Sequence, residues 1–232
     1  MSKLVETGIF LNRIHYSETS LIATFLTRNS GLQSYLFQGG KKKSQSLFPL
    51  SICEITTYRR ADSTLGKLTE AQASLLLLDI QTNPLKSVIA FFMADIIRQI
   101  VKDGQEDAYL FDFINHHIVA LEETKHVGIF VVQFLCQLTE PLGIQPSSKL
   151  ETANYFILKD GEFTLSTPLD SQSFGGKGVQ LLHGIFRNQR LDEDEPQARS
   201  EALHILLAYY AFHLPGFNVD RSLEIVIDTL YH

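Results

Sequence analysis

Cysteine is scarce in this chain. Cys53 and Cys136 are the only two and each stands alone. That distribution excludes a CxxC metal knuckle and a disulfide framework, and it leaves two reduced, buried thiols as the expectation. Long apolar runs are also missing. The longest are interrupted well short of the ~20 residues needed to span a bilayer. The first residues hold one lysine and no apolar stretch of the signal-peptide kind, so the cytoplasm is the expected compartment and no membrane partner is expected.

The spacings that mark common catalytic machinery are absent too. There is no GxSxG elbow, and neither cysteine sits in a nucleophile signature. His116, His117, His126, His183, His204 and His213 form no HxxxH or HExxH pattern with a carboxylate at ligand spacing, so neither a metal nor a cofactor is expected. Two glycine clusters, "GGKKKS" and "FGGKGVQ", fail the GxxxxGK[ST] spacing of a phosphate loop: the first lacks the leading glycine and the hydroxyl after Gly-Lys, and the second has Gly178 where that hydroxyl belongs. Phosphoryl transfer therefore ranks last among the readings, and nothing in the sequence asks for an enzyme.

What is present is a globular composition with uneven charge. Hydrophobic residues make up 44% of the 232 residues, enough for a real core. The net charge of −6 argues against a uniformly basic nucleic-acid binder. The average conceals a division: residues 1–80 hold nine basic and six acidic residues, a net of +3, and the remainder holds 11 and 20, a net of −9. Such asymmetry points to a polyanion partner for one half.

The two halves also differ in period. "VETGIFLNRIHY", "SLIATFLT", "LQSYLFQ", "ICEITTYRR" and "LGKLTEAQ" are short runs rich in β-branched and aromatic residues, parted by polar turns. Five such strands predict a small antiparallel barrel of the OB type, with Gly31 closing a tight hairpin between the second and third. After residue 80 the apolar spacing becomes helical. "PLKSVIAFFMADIIRQIVKDG" opens on Pro84, and "EDAYLFDFINHHIVALEE", "VGIFVVQFLCQLTEPLG", "EPQARSEALHILLAYYAFHLPG" and the closing "RSLEIVIDTLYH" follow the same period. Between them "ANYFILKDGEFTLS" reads as a hairpin at Asp160-Gly161, and "GGKGVQLLHGIFRNQR" as a loop and short helix. The predicted fold is α+β: a five-stranded OB-fold barrel over 1–80, then a mainly helical domain over 81–232 with a hairpin near 153–166.

A barrel that binds single-stranded nucleic acid needs cations for the backbone and aromatic faces for the bases. Lys41, Lys42 and Lys43 supply a basic loop, and Arg13, Arg28, Arg59 and Arg60 lie near predicted strand ends. Tyr35, Phe37 and Tyr58 lie within strands, and Tyr35 and Phe37 share one face of theirs, which serves either base stacking or the barrel core. Arg98 and Lys102, on one helix, are the candidates for the basic rim of a peptide groove.

"GIFLNRIHYSETSLIATFLTRNSGLQSYLFQGGKKKSQSLFPL" resembles the N-terminal domain of the RecO family of bacterial recombination mediators. "LGKLTEAQ", "YLFDFI", "FLCQLTEPLGIQP" and "FNVDRSLEIVIDTL" resemble later family segments in the same order. The resemblance implies an OB-fold followed by a helical domain, binding of single- and double-stranded DNA, strand annealing, and loading of RecA onto strands coated by single-strand-binding protein. It implies RecR and the C-terminal tail of single-strand-binding protein as partners, in a bacterial cytoplasm near the nucleoid. Many members carry a four-cysteine zinc module after the Leu-Gly-x-x-Pro segment. Here "SSKLETANYFILKDGEFTLS" has no cysteine, so a metal-free hairpin is expected in its place. The basic loop is all lysine where the family often mixes arginine, which implies sequence-tolerant phosphate contact. The competing reading is a protein-binding adaptor whose barrel does not bind DNA.

Overall fold

The computed structural model describes residues 2–43, 47–59, 65–102, 104–168, 172–189 and 195–231. The chain divides into two compact units, Met1–Glu123 and Thr124–His232.

In the first unit, β1 (Ser2–His15), β2 (Leu21–Thr27), β3 (Gly31–Phe37), β4 (Ile52–Arg59) and β5 (Gly66–Ala73) close into a barrel in the order β1-β2-β3-β5-β4. Only β3 and β5 run parallel, and they meet over three residue pairs, Tyr35 with Gly66 to Phe37 with Leu68. This is the OB-like arrangement expected from the strand pattern. A register shift between Phe10 and Asn12 lets the long β1 bend, so that it pairs with β4 along its first half and β2 along its second.

The barrel closes because alternate side chains fill it. Phe10, Phe25, Tyr35, Phe37, Leu47, Cys53, Ile55 and Leu68 form one buried cluster, with Phe10 and Phe25 edge to face at 5.4 Å. Burial pushes the Cys53 thiol up to about 12, which makes it an inert apolar filler at neutral pH. Gly31 adopts φ +67° at the β2–β3 turn, and Thr27 braces that turn, accepting from Ser30 N–H at 3.1 Å and donating to the Gly31 carbonyl at 3.1 Å.

The lysine loop contributes one turn, α1 (Gly40–Lys43). Three helices complete the unit: α2 (Leu78–Thr82), α3 (Pro84–Ile100) and α4 (Ala108–Glu123). Pro84 opens α3 as expected, with Asn83 accepting from Leu85 N–H at 3.0 Å. The short α2 has no counterpart in the sequence reading, because five residues are too few to display a helical period. Its N-terminus is held by the Glu122 carboxylate, which accepts from Asp79 and Ile80 N–H at 2.8 and 2.9 Å. Lys86, 2% exposed, pairs with the Asp79 carboxylate and donates to the Glu122 carbonyl at 2.6 Å. A buried ammonium is tolerable only with such partners, and these tie α2, α3 and α4 together.

The second unit holds α5 (Val127–Leu138), β6 (Tyr155–Ile157), β7 (Glu162–Thr164), β8 (Ser173–Gly175), α6 (Lys177–Phe186), α7 (Pro196–His213) and α8 (Asp220–Leu230). The expected hairpin is present as β6–β7, turning at Gly161 with φ +62°. A third strand joins it in the order β7-β6-β8. That strand was hidden in a glycine-rich segment read as loop. Phe156 packs on Phe163 and Tyr209, at 4.8 and 5.4 Å between ring centres. Tyr210, fully buried, donates to the Leu135 carbonyl at 2.8 Å.

Candidate nucleic-acid interface

A β-barrel wall has two sides, and residue parity decides which side a chain atom serves. On β3, odd positions from 33 face inward. Tyr35 is 4% exposed, tilted against Phe25 with ring centres 6.4 Å apart, and its hydroxyl is among the groups that hydrogen-bond Glu6. Of the two roles open to Tyr35, the structure gives it the core, and its ring has no face for a base.

The expected cations are placed unequally. Arg13 is exposed at the end of β1, its guanidinium 3.5 Å from the Leu47 carbonyl. Lys42 is exposed on α1. The side chains of Lys41, Lys43 and Arg59, and all of Arg60, lie outside the described residues. Arg28 is matched within its own unit by Asp112 of α4 through two parallel bonds, Nε to Oδ1 at 3.0 Å and Nη2 to Oδ2 at 2.8 Å. This pairing raises the Arg28 pKa and holds the Asp112 carboxyl below its ordinary range. Arg98 is exposed in the last turn of α3, 3.6 Å from Asp95, whereas Lys102, expected on the same helix, is exposed beyond its end at Ile100 and its C-cap Val101.

The β2–β3 turn is a covered end of the barrel. Segment 104–105 lies across it: Gly104 N–H donates to the Leu32 carbonyl at 3.2 Å, and a Cβ on Gly31 would stand 2.1 Å from the Gln105 carbonyl oxygen. Beneath this end Glu6 is buried, and Ser30 donates to its carboxylate at 3.3 Å. Desolvation raises the Glu6 pKa, opposed by hydrogen bonds from Thr27, Ser30, Asn29 and Tyr35.

Elsewhere the outer wall carries two lysines that the sequence did not single out, Lys3 and Lys67, around an aromatic that it did, Tyr58. Lys3 of β1 stands opposite Tyr58 of β4, and Tyr58 stands opposite Lys67 of β5. The row continues through Leu36 of β3 and Ile22 of β2, and returns to β1 at Ile14. Each neighbouring pair points the same way on the pleat. The row is thus two lysines around a tyrosine, then three aliphatic side chains. Beside it Asn12, Thr24 and Ser34 form a polar row, with Thr24 and Ser34 hydroxyls 3.1 Å apart. Lys3 lies far in sequence from Tyr58 and Lys67, and strand register brings the three together.

The second unit has a cleft of about 670 Å³ whose lining includes His126, Gln133, Gln137, Gln145, Asn188 and Gln189. Its amide-rich wall offers hydrogen bonds more than charge. Among the described residues no group of three or more His, Cys, Asp or Glu could hold a metal ion, and no described helix is long and apolar enough to cross a membrane.

Residues 1–75 match the family model described as Recombination protein O N terminal, and residues 81–222 match Recombination protein O C terminal. The chain belongs to the RecO family. These are DNA repair proteins without enzymatic activity. The chain is 29% identical over 248 aligned positions to the DNA repair protein RecO of Porphyromonas gingivalis, with 98% of this chain and 99% of that one covered. Its identity to the Bacteroides fragilis RecO is 28%, covering 94% and 96%, and to the Christiangramia forsetii RecO 27%, covering 94% and 95%.

The first RecO model ends at residue 75 and the second begins at residue 81, within α2, whereas α2–α4 pack in the same compact unit as the barrel. The segment where the resemblance places a zinc module carries no cysteine and forms β6 and β7. Its donor set does not fit a four-thiolate zinc site.

Proposed function

We propose that this RecO chain is a DNA-binding recombination mediator. It anneals complementary strands and assists loading of RecA onto single-stranded DNA coated by single-strand-binding protein, with RecR and the tail of that protein as its partners, in the cytoplasm beside the nucleoid. The observation that carries this reading is the match to both RecO models in tandem along a chain whose barrel wall bears accessible cations. Residues 1–80 form the DNA-binding module, and 81–232 serve the protein partners.

Lys41, Lys42 and Lys43, with Arg13, Arg59 and Arg60, neutralise phosphates on single- and double-stranded DNA. Arg28 contributes less, since Asp112 already satisfies its fork. Arg98 and Lys102 are the proposed rim for the acidic tail.

The deciding experiment is annealing of complementary strands coated by single-strand-binding protein, with and without the full chain. Faster annealing is expected, and an unchanged rate overturns the mediator reading. Changing Lys41, Lys42 and Lys43 together to Glu weakens both DNA forms and flattens the salt dependence by about 0.7–0.9 units of slope per lost contact. Unchanged affinity at moderate salt removes the loop from the interface. The adaptor reading draws on the burial of Tyr35 and the pairing of Arg28; it requires that the full chain show no salt-sensitive DNA binding.

A further inference from the structure

We propose that Tyr58, flanked by Lys3 and Lys67, is a stacking platform for a base of an unpaired DNA strand, so that the outer barrel wall discriminates single-stranded from duplex DNA. This rests on the DNA-binding reading above and names the nucleic-acid form that the barrel selects.

Three observations converge. The register sets Lys3 opposite Tyr58 and Tyr58 opposite Lys67, so the ring has an ammonium-bearing neighbour on either side, each one strand spacing of about 4.8 Å away. Parity places all three outside: Ile55 and Thr57 are buried, while Tyr58 is half-buried and Lys3 and Lys67 are exposed. Among the described residues no ion pair engages either lysine. Among the described residues the facing charges are Glu70, opposite Thr56, and Glu54, beyond Thr56 on β4, both exposed on the same outward side. They bound the patch and confine a phosphate chain to the lysine row.

The chemistry selects the ligand. The aliphatic strip of Leu36, Ile22 and Ile14, the last 56% exposed, would by itself suit any apolar partner. Two lysines about 10 Å apart across one aromatic ring favour a polyanion that can offer a flat apolar face between its charges. Duplex bases are already stacked on one another, so only an unpaired strand can lend one to Tyr58.

The test uses the full chain, a fluorescein-labelled deoxythymidine oligonucleotide and a labelled duplex, read by anisotropy. Tyr58→Leu keeps apolar bulk and removes the ring. It is expected to weaken the single strand roughly 5- to 100-fold and leave the duplex unchanged. Tyr58→Phe retains full affinity. The chain has no tryptophan, so tyrosine emission is directly visible: wild type is quenched by the oligonucleotide, and Tyr58→Phe loses part of that quench while still binding. Lys3→Gln with Lys67→Gln lowers the single-strand salt slope by about 1.4 units. Wild-type affinity in Tyr58→Leu, equal losses on both DNA forms, or an unaltered quench in Tyr58→Phe each overturn the platform. Failure of wild type to bind either DNA instead overturns the underlying DNA-binding reading.

Discussion

Tyr35 and Tyr58 stand on opposite sides of one barrel wall. Tyr35 lies over Gly66, where an added Cβ would come within 2.8 Å of its ring, and its hydroxyl is committed to Glu6. Tyr58 lies next door, opposite Lys67, on the solvent side. The same residue type is consumed by folding in one place and left available in the other, and what separates them is strand parity. The arginines and lysines repeat the lesson: Arg28 at the covered turn is matched by Asp112, while Lys3 and Lys67 lie on the open wall. Aromatic and basic content describes both regions equally, and only pairing tells them apart.

Substitutions can break this contrast between a closed interior and an open wall. The largest effect is expected inside: Phe25→Ala removes a fully buried ring that touches Phe10 and Tyr35 and costs about 3–5 kcal/mol in urea unfolding. A loss below about 1 kcal/mol would mean that the barrel interior is not the packed side. Next is Gly31→Ala, which combines a left-handed backbone with a Cβ 2.1 Å from the Gln105 carbonyl oxygen. A cost of about 2 kcal/mol or more is expected in thermal unfolding, and an unchanged melting temperature would show that segment 104–105 does not seal this end.

Glu6 tests the same end through pH. Its folded pKa is raised above the ordinary 4.5, so the folded state favours the protonated carboxyl. The stability this contributes is fully present below the unfolded pKa and is lost as pH climbs through the folded one. Stability measured from about pH 4.5 towards neutrality should therefore decline less in Glu6→Gln than in wild type, and parallel curves would remove the desolvated carboxyl from the account. The smallest effect is expected for Arg28→Ala. Its DNA affinity should match wild type and its salt slope change by well under one unit, measured beside the Lys3 and Lys67 variants. A slope change equal to theirs would put Arg28 on the DNA side.

The sequence disclosed periods well and pairings poorly. Five alternating runs located all five barrel strands, Pro84 located the start of α3, and Asp160-Gly161 located the β6–β7 turn, because each signal is local. β8 escaped because three residues beside a glycine cluster carry no period. The partner of Arg28 is 84 positions away, and the Lys3, Tyr58, Lys67 row depends on register across three strands, which spacing along the chain does not contain. Tyr35 and Tyr58 both read as strand aromatics, and the inward parity of one became visible only with the barrel closed.

The brief parallel meeting of β3 and β5 gives the barrel a seam. The other neighbouring strands pair over six to eight residue positions, but this joint is stitched at three, and beyond it a notch opens beside Phe37, Thr69, Glu70 and Ala71. The row from Lys3 to Ile14 crosses the seam between Lys67 and Leu36. A strand of DNA laid along that row would act as a clasp, and binding and barrel closure would then draw on the same equilibrium. Hydrogen exchange at Lys67 and Leu68 should slow on adding a single-stranded oligonucleotide, making the seam a built-in gauge of whether the outer wall is occupied.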